Sequence, residues 1–145
     1  MKHEEWLKYG AIALAVVGFG ALMYLALSQD SGDIENRAWV VTELGGEGAP
    51  IEGTVLTARF EDGTVSGTAG CNSYFAGYTT DGNTLEIGPA GSTLMFCEQP
   101  EGTMDQEQAY LALLQSADTF EVSGDSLVLS AGSSPVLTFA DGGNG

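Results

Sequence analysis

The run FEDGTVSGTAGCNSYFAGY, residues 60–78, decides how this chain is to be read. Glu61-Asp62-Gly63 is a tight-turn signal, because Asp and Gly tolerate positive φ. Upstream, TVLTARF at 54–60 alternates: Leu56, Ala58 and Phe60 face one way, Val55, Thr57 and Arg59 the other. A period of two marks a half-buried strand. Residues 64–68 are therefore expected to return as its hairpin partner. Beyond them Cys71 sits among glycines, beside an asparagine and two aromatics. It is a nucleophile, a metal ligand or half of a disulfide, and the rest of the chain has to decide which.

Working outward, RAWVVTEL at 37–44 reads as a strand and GGEGAP after it as a loop. Asp81-Gly82-Asn83 turns the chain between GYTT and TLEIG, and STLMFC at 92–97 reads as another short strand. A helix follows, with Thr103 as its cap and Gln106 as the reciprocal half of a capping box. Asp105 and Glu107 lie in its first turn, where negative charge suits the helix dipole. Tyr110, Leu113, Leu114 and Ala117 have the spacing of a buried stripe. FEVSGDSLVLS and SPVLTFA then supply further strands. The sum is about seven or eight short strands and one helix, a mostly β chain. The expected architecture is an antiparallel sheet curled into a partial barrel, closed on one side by the helix.

Residues 9–28, YGAIALAVVGFGALMYLALS, pass without a charge. As a helix they would be about 30 Å long, the thickness of a bilayer core. Trp6, Tyr9 and Tyr24 lie near the ends, where amphipathic aromatics favour the interface. The segment reads as a transmembrane anchor, with an uncleaved or cleaved signal peptide ending near Ala26-Leu27-Ser28 as the alternative. Lys2 and Lys8 precede it, and no basic residue follows before Arg37. The positive-inside rule then leaves residues 1–8 as a cytoplasmic tail and places the domain outside, on the periplasmic side. Residues 29–36 read as a linker, 37–139 as the folded domain and 140–145 as a frayed tail.

Composition narrows the function. The 145 residues hold 4 Lys plus Arg against 20 Asp plus Glu, a net charge of −16. After residue 28 only Arg37 and Arg59 oppose the acids. Such a domain repels phosphate backbones and anionic headgroups, so nucleic acid is not expected as a partner. The bland reading of the acidity is solubility or a salty habitat.

The order of motifs resembles the META domain family, also called HslJ-like. The resemblance is carried by Trp39, then Phe60, Asp62-Gly63, Val65, Gly67, Gly70-Cys71-Asn72 and Tyr74. It continues through Gly77 and Tyr78, LEIG at 85–88, STLMFC ending at Cys97, and then Met104, Gln106-Glu107 and Tyr110. It spans about residues 37–139. It implies a small, cracked antiparallel barrel with a helix, in an envelope protein. It also implies a loose association with heat-shock induction, antibiotic tolerance and virulence, and no known catalytic reaction or active-site residues.

The residues of the chain itself point the same way on chemistry. A catalytic thiol needs a basic partner, and the only histidine is His3, before the apolar segment. The spacing of Cys71 and Cys97 offers no close ligand pair for zinc. Asp81, Asn83 and Asp125 read as turn residues rather than a calcium loop. Neither a metal nor any other cofactor is expected. Glu107 with Glu61 and Asp62 could be a carboxylate pair for glycoside chemistry, but among so many acids they read as a solvated face. Two cysteines in an oxidising compartment favour a Cys71–Cys97 disulfide; two buried free thiols are the alternative.

Asn72 is expected to bond backbone in its turn. Trp39, Tyr74, Phe75, Tyr78 and Phe96 are either core or the lining of a barrel mouth that takes an apolar ligand. Three functions follow: a non-catalytic envelope module that binds a partner protein, a carrier of a lipid or small apolar molecule, or, least supported, an enzyme. An exposed apolar patch would favour the first, apolar material held by the barrel the second, and a cleft with a perturbed carboxylate the third.

Overall fold

The computed structural model describes residues 33–143. The expected anchor at 9–28 and the tail at 1–8 lie outside those residues. Among the described residues no helix is long and apolar enough to cross a membrane.

The chain runs β1 (Ala38–Leu44), β2 (Thr57–Glu61), β3 (Thr64–Thr68), β4 (Ser73–Asp81), β5 (Thr84–Ile87) and β6 (Gly91–Ser92). Helix α1 (Thr103–Ser116) follows, then β7 (Thr119–Ser123), β8 (Ser126–Ala131) and β9 (Ser134–Asp141). The Asp62-Gly63 turn between β2 and β3 forms as the sequence predicts, with φ of 52° and 79°. Every ladder is antiparallel. The order β3-β2-β1-β9-β8-β7-β5-β4 returns to β3, so eight strands close a ring, and β6 pairs with β4 outside it.

The partial barrel expected from sequence is therefore a closed one. Two pairings complete it. β3 and β4 match over five residue pairs from Thr64↔Gly77 to Thr68↔Ser73. β5 and β7 meet only at Thr84↔Thr119, reinforced by Leu85 N–H to Asp118 O and Phe120 N–H to Asn83 O, both 2.9 Å. Closure removes the unpaired edges that an open sheet would expose.

Alternation sets what lies inside. On β4, Tyr74, Ala76 and Tyr78 are buried while Ser73, Phe75 and Gly77 face out. Trp39, Leu56, Phe60, Val65, Leu127, Leu129, Leu137 and Phe139 meet them in the interior. An eight-stranded barrel is just wide enough for its own side chains to fill. Phe60 and Tyr78 pack edge to face at 5.0 Å. Gly67 on β3 lies where any Cβ would collide with the Thr57 carbonyl, so the close approach of β2 requires glycine.

Helix α1 lies across one end of the ring. It reaches the β1–β2 loop through Gln106, the start of β2 through Tyr110 and the β3–β4 turn through Glu107. The expected capping box does not form. The N-cap is Gly102, at φ 89°, with no side-chain cap. Thr103 Oγ1 donates instead to Pro100 O, 2.6 Å away. Gln106 is drawn aside by the β1–β2 loop, accepting from Ile51 N–H at 2.7 Å and donating to Thr54 Oγ1 at 2.9 Å. Tyr110, Leu114 and Ala117 form the buried stripe, with Leu113 half-buried.

The opposite end is covered by the segment before β1. Ile34 is buried, Glu35 bridges Phe60, and Trp39 Nε1 donates to Ile34 O at 3.0 Å. Packing thus begins before residue 37. At the other terminus Arg37 holds Asp141 and Gly142 N–H bonds Ala38 O, so residues 140–142, expected as part of a frayed tail, pack on the fold.

Candidate functional site

Cys71 and Cys97 are joined in a disulfide, with Cα atoms 5.9 Å apart. Cys71 is thus neither a nucleophile nor a metal ligand but half of a covalent staple. It ties the β3–β4 turn to the end of the segment that leaves β6. Gly70 precedes Cys71 at φ 111°, a backbone that suits glycine.

Next to the staple lies a buried polar pair. Glu107 on α1 is 5% exposed, and Asn72 is 3%. Glu107 Oε1 accepts from Asn72 N–H at 2.6 Å and Cys71 N–H at 3.2 Å. Its Oε2 accepts from Asn72 Nδ2 at 2.7 Å. This corrects the reading of Glu107 as part of a solvated face. Its partners lie 35 and 36 residues away, and three N–H donors replace the water that burial removes.

Asn72 also reaches beyond its own turn. Nδ2 donates to Met95 O at 3.0 Å, and Oδ1 accepts from Met95 N–H at 2.7 Å and Thr93 Oγ1 at 2.8 Å. Both donors and both lone pairs of the amide are used. Here the expected strand at 92–97 ends early. β6 stops at Ser92, Thr93 N–H bonds Ser73 O, and from there the Asn72 side chain stands in for a strand partner.

The held segment turns its side chains to solvent. Leu94 is 97% exposed, Phe96 74% and Met95 59%. Phe75 is also exposed, on the outer face of β4, packed over Gly91. Beside them Phe96, Cys97 and Met104 line a groove of about 390 Å³ with the carboxylates of Glu98, Glu101 and Asp105. By sequence STLMFC reads as a short strand, with Phe96 as core or as the lining of a barrel mouth. The signal against it was there: consecutive strand residues face opposite ways, so Leu94-Met95-Phe96 could not all point inward.

The motif residues divide between the two ends. Gly67, Gly70, Asn72, Tyr74 and Glu107 gather at the helix end. There the Tyr74 and Tyr110 hydroxyls, 2.9 Å apart, both donate to Thr57 O. Burial holds both hydroxyls well above the usual phenol range. Trp39, Gly63 and Tyr78 gather at the far end. Tyr78 OH donates to Glu35 at 2.8 Å. Burial first, and then the Glu35 carboxylate, push it up to about 12. Of the five aromatics, Trp39, Tyr74 and Tyr78 are core, whereas Phe75 and Phe96 are surface.

The described residues contain no histidine or lysine, and no group of three or more acids, cysteines or histidines converges on a possible metal position. Both Glu107 oxygens are occupied by N–H donors.

Among curated proteins, none matches this chain. Two solved structures resemble it. One is the NMR structure of a protein from Burkholderia xenovorans, 27% identical, with a TM-score of 0.61 over 74% of this chain and 83% of the other. A second NMR structure shares the fold at 16% identity, with a TM-score of 0.57, covering 74% of this chain and 90% of that one. The META domain model matches residues 32–143, all of the barrel and its helix, and the chain belongs to the META domain family.

Proposed function

We propose that this META domain is a non-catalytic envelope module that docks a partner protein through the segment 93–97, in support of stress tolerance. The observation that carries the reading is an apolar finger on a fixed backbone. Leu94, Met95 and Phe96 are solvent-exposed, yet the chain beneath them is held by the disulfide and by Asn72. Exposed apolar clusters of this kind mark interaction surfaces. A backbone already ordered loses little further freedom on binding. Burying a side chain such as Leu94 or Phe96 contributes about 1.5–3 kcal/mol. The apolar segment at 9–28 supports an anchored protein with the domain on the periplasmic side.

The carrier reading has less behind it, because the side chains of Trp39, Phe60, Tyr110 and Phe139 occupy the barrel interior. The test is a photocrosslinking residue at position 94 of the full chain, in its own cells. The expected result is a discrete protein adduct that Phe96→Ser removes. Adducts to lipid alone, or an adduct indifferent to Phe96→Ser, would overturn the proposal.

A further inference from the structure

Resting on that docking role, we infer that the partner presents a cationic amphipathic segment. Its apolar side chains would lie on Phe96 and Met104, and its lysines or arginines would face Glu98, Glu101 and Asp105. The groove supplies both halves of that chemistry: Phe96, Cys97 and Met104 share its lining with three acids, Glu98, Glu101 and Asp105. A fourth acid, Glu52, stands close by, between Ile51 and Gly53, which pack against Gly102 and Pro100.

Charge complementarity selects the occupant. The two cations among the described residues are at the far end of the barrel. Arg37 is paired with Asp141 and Arg59 with Glu61. Among the described residues nothing neutralises the groove acids except the N-terminus of α1, worth about half a charge. The carboxylates do not converge as metal ligands do. Acids spread along an apolar groove suit cations spread along a chain rather than one ion. An anionic membrane is disfavoured by the same charges. A purely apolar partner would leave them beside a buried interface without counterions.

The test uses the full chain in phosphatidylcholine nanodiscs, with empty nanodiscs as the reference. A labelled 12-residue peptide alternating Lys and Leu is titrated by fluorescence anisotropy, beside Glu–Leu and Lys–Ser peptides of the same spacing. The Lys–Leu peptide should bind beyond the empty-disc reference, at least tenfold tighter than either control, and weaken as salt rises. The combined Glu98→Gln, Glu101→Gln and Asp105→Asn variant should lose at least tenfold in affinity, and Phe96→Ser about fivefold or more. Both variants should keep the wild-type circular dichroism and melt within a few degrees of it.

Equal binding to empty discs, equal binding of the Glu–Leu peptide, or an unchanged affinity in the triple variant would overturn the inference. The position-94 crosslink separates that failure from failure of the docking role. A protein adduct that persists in the triple variant leaves docking standing with a partner that is not basic. A lipid-only adduct removes both.

Discussion

The two ends of this barrel solve one problem in opposite ways. Each must cover an apolar interior. The far end folds Ile34 underneath, donates the Trp39 indole N–H to it and lays the Arg37 guanidinium over the Trp39 ring at 4.3 Å. Arg37 then grips Asp141 and Gly124 O. Apolar groups end up inside and charges outside. The helix end instead buries a carboxylate and an amide, Glu107 and Asn72, and sets Leu94, Met95 and Phe96 in solvent. The inversion teaches where to look for function: buried polar groups hold a backbone whose apolar side chains are kept free.

Removing the staple is expected to break that comparison most strongly. The disulfide links residues 26 apart in sequence. Loop-closure entropy for such a span gives about 3–4 kcal/mol. Cys71→Ala with Cys97→Ala should lower stability by about that much in urea denaturation. Hydrogen exchange should quicken at the helix end before it does around Trp39.

Asn72→Ala comes next. It takes one donor from Glu107 and leaves Met95 N–H without its acceptor, at an expected cost of about 2–3 kcal/mol. The Tyr78→Phe change at the far end keeps the ring and removes one hydrogen bond, to Glu35, and should cost about 1 kcal/mol. Paired denaturation curves decide whether the helix end depends more on its polar contacts.

Alkali should affect both ends. The hydroxyls of Tyr74 and Tyr110 at the helix end and Tyr78 at the far end are all raised. A raised phenol favours the folded state while it is protonated. Its contribution is complete below the ordinary value of 10.0 and is lost as pH rises through the folded value, about 12 for Tyr78. Stability should therefore fall between those limits, and Tyr78→Phe should soften the fall. A flat profile across that window would contradict the burial argument.

The smallest expected effect on stability is at the finger itself. Leu94→Ser and Phe96→Ser remove exposed side chains and should shift stability by no more than about 0.5 kcal/mol. A loss above 1 kcal/mol by thermal melting would mean that these residues pack inward and are part of the fold.

Much of the fold is legible in sequence because its signals are local. The Asp62-Gly63 turn, the alternation of Leu56, Ala58 and Phe60, and the helical spacing of Tyr110, Leu114 and Ala117 each sit within a few residues. The Cys71–Cys97 pair follows from inventory. What was not legible depends on partners far away in the chain. The β5–β7 seam of the ring rests on Thr84 meeting Thr119, a single residue pair with no periodicity to announce it. Gln106 serves the β1–β2 loop rather than the helix cap because Ile51 and Thr54 arrive beside it. Glu107 reads as one more surface acid until Asn72 is placed against it. STLMFC reads as a strand because apolar content resembles core when its exposure is unknown.

The most direct measurement is site-resolved amide hydrogen exchange at Met95 in the wild-type full chain. If the finger is held as described, the Met95 amide, bonded to Asn72 Oδ1, exchanges slowly although its own side chain is exposed. Asn72→Ala should then accelerate it at least tenfold. An amide that exchanges at the rate of a free loop in wild type would contradict the fixed backbone, and with it the claim that this end of the barrel is a ready-made docking surface.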